Sequence, residues 1–253
     1  MPPAPPASAP TADVSPTPDH WFEPLAEHMG EAYLRYSFTK GTENEVAFIV
    51  EQLGLVAGQR VLDVGCGPGR HAHALAQRGI NVLGVDIAQR FVDLANEHAP
   101  PGATFVRGDA RALAFDAEFD AAISLCQGGF GLVGDDDGAV LAGIARAVKP
   151  GGRVAFSAFS AYFLVQHLES TDTFDAARGV NTEITEVRDS AGTPLAAQLH
   201  TSVFTPRELR LMCGAVGLVA EQIWSVTPGG YAANPPDVAH PEWLVVAIKQ
   251  PQQ

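Results

Sequence analysis

Hydrophobic and polar positions change period several times along this chain. Trp21, Leu25, Met29 and Tyr33 recur at helical spacing, with Phe22 beside that face. They predict a first helix running to about Arg35, with Asp19 as its N-cap. Pro24 leaves the start open, because proline is tolerated only in the first turn of a helix. Val46, Ile49, Val50 and Leu53 form the apolar face of a second helix over residues 42–53, where Thr42 and Glu45 match a capping box. From Arg60 onward, short β-favouring runs alternate with helical patterns. The strands fall at 60–64, 81–86, 104–107, 119–125 and 153–158, and the helices at 70–78, 88–97 and 137–148. Lys149-Pro150-Gly151-Gly152 is the helix stop and turn before the fifth strand. This alternation predicts an α/β fold with a mostly parallel, doubly wound sheet.

The regularity lapses over about 160–204. Two extended runs, 180–188 and 195–204, flank Asp189-Ser190-Ala191-Gly192 and predict a hairpin. Thr205, Pro206 and Glu208 then occupy the N-cap, N1 and N3 positions of a helix. Strands at 218–226 and 242–249 follow, joined by a Pro-rich connector over 227–241. Residues 1–18 are mostly Pro, Ala, Ser and Thr and cannot bury enough apolar surface to offset their ordering entropy. They read as a disordered tail before one domain spanning 19–253.

Composition narrows the function classes. A formal net charge of −13 without any Lys/Arg run argues against nucleic acid and anionic membranes as partners. Cys66, Cys126 and Cys213 have no metal-ligand spacing, so no metal site is expected and the thiols read as free. There is neither the basic start and apolar run of a signal peptide nor a stretch long enough to span a bilayer. The expected location is cytoplasmic.

The chemistry concentrates in Val61–Arg70. An apolar strand breaks there into Gly65-x-Gly67-x-Gly69 and a helix opens at Arg70. Glycines at such a turn allow positive φ and close backbone approach to a ligand, and the following helix N-terminus favours an anion. A dinucleotide fingerprint needs its third glycine one residue later, and it has no acid where Asp63 stands. Further acids end the second and third strands, Asp86 in Val85-Asp86-Ile87 and Asp109 in Gly108-Asp109-Ala110.

Together these segments resemble the motifs of class I S-adenosylmethionine-dependent methyltransferases, with Val148–Arg153 matching the approach to strand five. The likeness covers about 33–159, and 204–249 fits the family's last helix and two strands. The helix pair before the sheet and Ser124–Leu132 are similar to bacterial small-molecule members. The resemblance implies a Rossmann-like sheet of seven strands with the last one antiparallel, N-terminal helices, and a β-rich insertion after strand five over the substrate side. It also implies S-adenosyl-L-methionine as cofactor and in-line transfer of its methyl group to oxygen or nitrogen of a small molecule.

Residue by residue, the resemblance places Gly65, Cys66, Gly67 and Gly69 along the methionyl part and ribose, and Asp63 near the ammonium. Asp86 would accept the ribose hydroxyls and Ile87 pack on adenine. Asp109 and the Ala110 amide would meet the adenine edge, Leu125 would lie over the methionyl end, and Tyr36 would close over the cofactor with Tyr33 and Phe38. Plainer readings compete: Asp63, Asp86 and Asp109 can each cap a neighbouring turn or helix, and Cys66 and Cys126 can be packed side chains. A hydroxyl acceptor would need a base; the candidates near the acceptor are Gln127, Tyr162, His167, His200 and Tyr231. Asn234-Pro235-Pro236-Asp237 resembles an amino-methylating tetrapeptide but lies between the wrong strands. Two other classes stay open, a non-catalytic cofactor-binding module and a nicotinamide-dependent oxidoreductase, the latter opposed by the glycine spacing and Asp63.

Overall fold

The computed structural model describes residues 20–126 and 128–251. The tail, the Asp19 cap and the Gln127 candidate lie outside the described residues. Helices α1 (Glu23–Met29) and α2 (Thr42–Leu53) precede the alternating segment. That segment comprises β1 (Arg60–Val64), α3 (Arg70–Ala76), β2 (Asn81–Asp86), α4 (Gln89–Glu97), β3 (Ala103–Arg107), β4 (Phe119–Ser124), α5 (Asp137–Ala147) and β5 (Val148–Ser160). After it come α6 (Ala161–Gln166), β6 (Thr173–Asp175), β7 (Val180–Arg188), β8 (Pro194–Phe204), α7 (Pro206–Ala215), β9 (Leu218–Thr227), β10 (Gly230–Asn234) and β11 (Glu242–Lys249).

The main sheet runs β10-β9-β11-β5-β4-β1-β2-β3. Strands β5, β4, β1, β2 and β3 are parallel, and β11 is antiparallel to both β5 and β9. The seven expected strands are thus joined by an eighth, β10, inside the segment read as a Pro-rich connector. Gly230 pairs with Thr227 and Asn234 with Ser225, so the chain folds back on β9 before the prolines end the pairing. Strand side chains alternate between two layers. Val61, Ile123 and Val246 pack with α2, α3 and α4, while Leu62, Ala122 and Val245 pack with α5 and α7.

Three local expectations fail for identifiable reasons. Lys149–Gly152, read as a turn ahead of the fifth strand, lies within β5, whose pairing with β4 shifts register there as Gly151 takes φ +78. The first helix ends at Met29, because Gly30 takes φ +46 and the chain continues as 3-10 turns to Arg35. The N-cap of α2 is Gly41 at φ +90 with no side-chain cap, because Glu45 turns inward instead of back to the cap. The capping box at Thr205 and Glu208 does form.

The order reverses between β1 and β4, so the loops after these strands part and leave the crevice in which open α/β sheets bind ligands. Strands β6, β7 and β8 form an antiparallel flap whose last residues, Val203 and Phe204, pair in parallel with Phe159 and Ser160 at the end of β5. This register holds one face of β7 and β8 over the crevice.

Candidate active site

The glycine turn is shaped by its contacts. The amides of Gly65 and Cys66 both donate to the Val85 carbonyl, at 2.7 and 3.1 Å. Gly65 sits at φ +71, and a Cβ there would lie 1.8 Å from the Gly128 carbonyl carbon, so only glycine lets the loops after β1 and β4 touch. The Gly67 amide donates to Asp86 Oδ2 at 2.8 Å, and the Ala88 amide to Oδ1 at 2.9 Å. Asp86 therefore joins the glycine turn to the start of α4. Burial raises its carboxyl to about 6 against the pull of those two amides. Asp63 lies behind the turn, 1% exposed, and its Oδ2 has no hydrogen-bond partner among the described residues. Burial raises it to about 7, opposed by Arg70.

Two adjoining cavities share Phe22, Gly65, Asp86, Gly128 and Leu132. The narrower is also lined by Ile87, Asp109, Ala110 and His20. The larger, about 430 Å³, has an aromatic wall of Trp21, Phe22, Tyr33, Tyr36, Phe38 and Phe91. Its volume suits a small organic ligand. The wall is self-supporting: Tyr33 lies 4.8 Å from Phe91 and 5.3 Å from Phe38, and Trp21 Nε1 donates to the Leu132 carbonyl at 3.2 Å. Opposite it stand Glu183, Thr185 and Val187 of β7, and Leu199 and Thr201 of β8. Pro228, Pro241, Glu242 and Cys126 also line the cavity. Cys126 takes φ +53, uncommon outside glycine, and its amide donates to Ser157 Oγ at 2.7 Å.

A buried polar hub underlies this floor. Glu45, fully buried, accepts from Arg70 Nη1, from His71 Nε2 at 2.8 Å and from the Gly229 amide at 2.7 Å. Arg70 also reaches Thr42 Oγ1 and Cys126 Sγ, each at 2.9 Å. Burial pushes the Glu45 carboxyl up, but His71 and Arg70 outweigh it and hold it at about 2. Burial pushes His71 below its ordinary value, with Glu45 pulling the other way, and Nε2 carries the hydrogen it donates to that carboxylate. Glu45, His71 and Cys126 bring ligand-type atoms within 4.8 Å of one another, which no linear spacing reveals. The Arg70 guanidinium already stands among them as the counter-cation.

Of the predicted donor residues, Gly65, Gly67, Asp86, Ile87, Asp109, Ala110 and Tyr36 line the two cavities. Others lie behind them. Cys66 is a buried core side chain, and Gly69 caps α3. Leu125 packs in the core, and its carbonyl accepts from the Gly128 amide at 3.1 Å. Asp109 is clasped by Arg111, which outweighs burial and holds its carboxyl below the usual range. The catalytic candidates fare worse, for none of the four described ones lines the large cavity. Tyr162 is an exposed residue set edge-on to Trp243, and His167 stacks on Phe163 at 3.9 Å. His200 falls between the lining residues Leu199 and Thr201, pairs with Thr182 at 3.0 Å and packs on Trp21. Tyr231 is buried against Phe48, its hydroxyl 4.0 Å from Cys126 Sγ. Sequence reading missed Glu45, Glu183 and Glu242. Period-two alternation of Glu183, Thr185 and Val187 was the available signal for the second.

A methyltransferase-domain family model matches residues 61–152. Cypemycin N-terminal methyltransferase from a Streptomyces species is 31% identical over 211 residues, 76% of this chain and 84% of that one. A ubiquinone biosynthesis O-methyltransferase from Paracidovorax citrulli is 36% identical over 112 residues, but only 43% of this chain and 47% of its own. Among solved structures, the CcbJ methyltransferase from Streptomyces caelestis superposes with a TM-score of 0.74 at 19% identity, covering 89% of this chain and 97% of that one. CalS10, an amino pentose methyltransferase from Micromonospora echinaspora solved with S-adenosylmethionine bound, gives 0.61 at 22% identity over 87% and 96% of the two chains. The crevice at the switch point, the glycine turn with its acids and these likenesses agree: the chain belongs to the class I S-adenosylmethionine-dependent methyltransferases.

Proposed function

We propose that this methyltransferase acts on nitrogen, methylating an amine carried by a small molecule. The observation behind this reading is the charge of the large cavity. Its ionisable acids are Asp86, Glu183, Glu186 and Glu242, and no Lys, Arg or His is among its described lining residues. Such a lining attracts a cationic acceptor and repels a carboxylate or phosphate. The aromatic wall supports it, since ring faces attract ammonium groups. Two similar proteins fit the same pattern by name, the cypemycin N-terminal methyltransferase and the amino pentose methyltransferase CalS10.

The donor fits the residues present. The unpartnered buried oxygen of Asp63 suits a cationic ammonium, and Asp86, holding the turn at Gly67, has lone pairs left for the ribose hydroxyls. Ile87 and Ala110 in the narrower cavity suit adenine. Bound S-adenosylmethionine supplies an electrophilic methyl group on sulfur. A cationic acceptor would have to give up its ammonium proton to water before its nitrogen could take that methyl group; sulfur would keep the C–S electron pair, and a second N–H proton would leave to water afterwards. What the chain contributes is alignment and exclusion of water by Tyr33, Tyr36, Phe38 and the β7–β8 face. A matched panel of amines, isosteric alcohols and isosteric carboxylates, assayed with isotope-labelled donor, tests the reading. Turnover confined to amines is expected; equal or better turnover of the alcohols contradicts it.

A further inference from the structure

Charged groups in the large cavity differ in how they are engaged. Asp86 is held by two backbone amides, and Glu186 pairs with Arg188. Glu183 is half-buried, and its side chain makes no hydrogen bond or ion pair with any described residue. It shares its cavity-facing side of β7 with Thr185 and Val187, and its cross-strand neighbour is Leu199. A carboxylate partly removed from water without a partner is costly, and near Asp172 and Glu169 it is more so: burial, then those two acids, raise its carboxyl above the ordinary range. The fold therefore keeps a carboxyl group facing the acceptor side of the cavity with no cation among the described residues paired to it.

We infer that Glu183 is the specificity-determining anchor of the acceptor, taking a basic nitrogen of the substrate against its carboxylate while the substrate's apolar body lies along Val187, Leu199 and the ring of Trp21. The inference rests on the amine reading above and names the residue that carries it. Its chemistry is that of a charge-assisted hydrogen bond in a partly dry site, stronger than the same contact in water. Thr185 and Thr201 flank the carboxylate with hydroxyls able to accept from the remaining N–H groups. An uncharged acceptor of the same shape leaves Glu183 desolvated and unpaired, which is how the cavity rejects it.

The test uses phenethylamine and its isostere 2-phenylethanol as probes, titrated calorimetrically into the full chain saturated with S-adenosylhomocysteine. The wild type is expected to bind the amine about tenfold or more tightly than the alcohol, the worth of one charge-assisted hydrogen bond. Glu183→Gln is expected to erase that preference with unchanged affinity for S-adenosylhomocysteine and a melting temperature no lower than that of the wild type, and Glu183→Asp to restore part of it. If the wild type prefers the amine and Glu183→Gln keeps the preference, Glu183 is not the anchor although the amine reading stands. If the wild type shows no preference, the amine reading fails and this inference falls with it.

Discussion

Replacing Glu45 by glutamine tests whether the buried hub holds the site together. Glu45 joins α2 to α3, the helix that opens from the glycine turn, and to Gly229 beside the cavity-lining Pro228. Holding its carboxyl at about 2 instead of the ordinary 4.5 corresponds to about 3 kcal/mol of folding free energy. The variant also leaves the Arg70 guanidinium, whose side chain is only 10% exposed, without its counter-charge, a change that costs about 3–5 kcal/mol where measured. Urea unfolding at pH 7 should show Glu45→Gln less stable by about 3 kcal/mol, or a fall in melting temperature of roughly 6–12 °C for a chain of this length. The sign with pH follows from a carboxyl held down in the fold. Its contribution is full above 4.5 and is lost as pH falls from there toward 2. The gap between wild type and variant should therefore shrink to about 2 kcal/mol at pH 3.5. A gap under about 1 kcal/mol at pH 7, or one that does not narrow on acidification, refutes the assignment of this hub as a net stabilising ion cluster.

Two further predictions concern the donor side. Gly65→Ala places a methyl group 1.8 Å from the Gly128 carbonyl carbon at a φ of +71. Any folded fraction should have lost S-adenosylmethionine binding by calorimetry, and wild-type affinity would show that the two loops need not touch. Asp63 and Asp86 are raised to about 7 and about 6, so both are partly protonated in mild acid, and a donor whose ammonium meets Asp63 and whose ribose hydroxyls donate to Asp86 must displace those protons. Affinity for S-adenosylmethionine should rise from pH 5 to about pH 8 and level off above it, with proton release seen as a buffer-dependent heat; in Asp63→Asn the upper part of that rise should vanish, and an unaltered profile would clear Asp63 of the role.

Much of this molecule was legible along the chain because local periodicity and packing agree. Residues 180–188 and 242–249 read as strands and are strands, since alternation and β-branched side chains dictate them whatever their partners. The glycine turn and Asp86 were legible for the same reason, their backbone demands being local. What escaped depends on distant partners. Thr42 and Glu45 spell a capping box, as Thr205 and Glu208 do, yet only the second forms. Arg70 and His71, some 25 residues on, compete for the first carboxylate in a buried place and win. Strand β10 hides among prolines because its pairing with β9 is a matter of tertiary folding. Tyr162, His167 and His200 fall in the insertion over the substrate side, but which face of β8 or α6 meets the cavity is set by register. His200 misses it by one residue.

The most direct test of an acceptor nitrogen works before the acceptor molecule itself is identified. The protein is incubated with a metabolite extract and S-adenosylmethionine carrying a carbon-13 methyl group, and the labelled product is read by carbon–proton NMR. The acidic, aromatic cavity predicts a new methyl signal in the N-methyl region that couples to nitrogen. A product methyl bonded to oxygen would contradict the account, whatever molecule carries it.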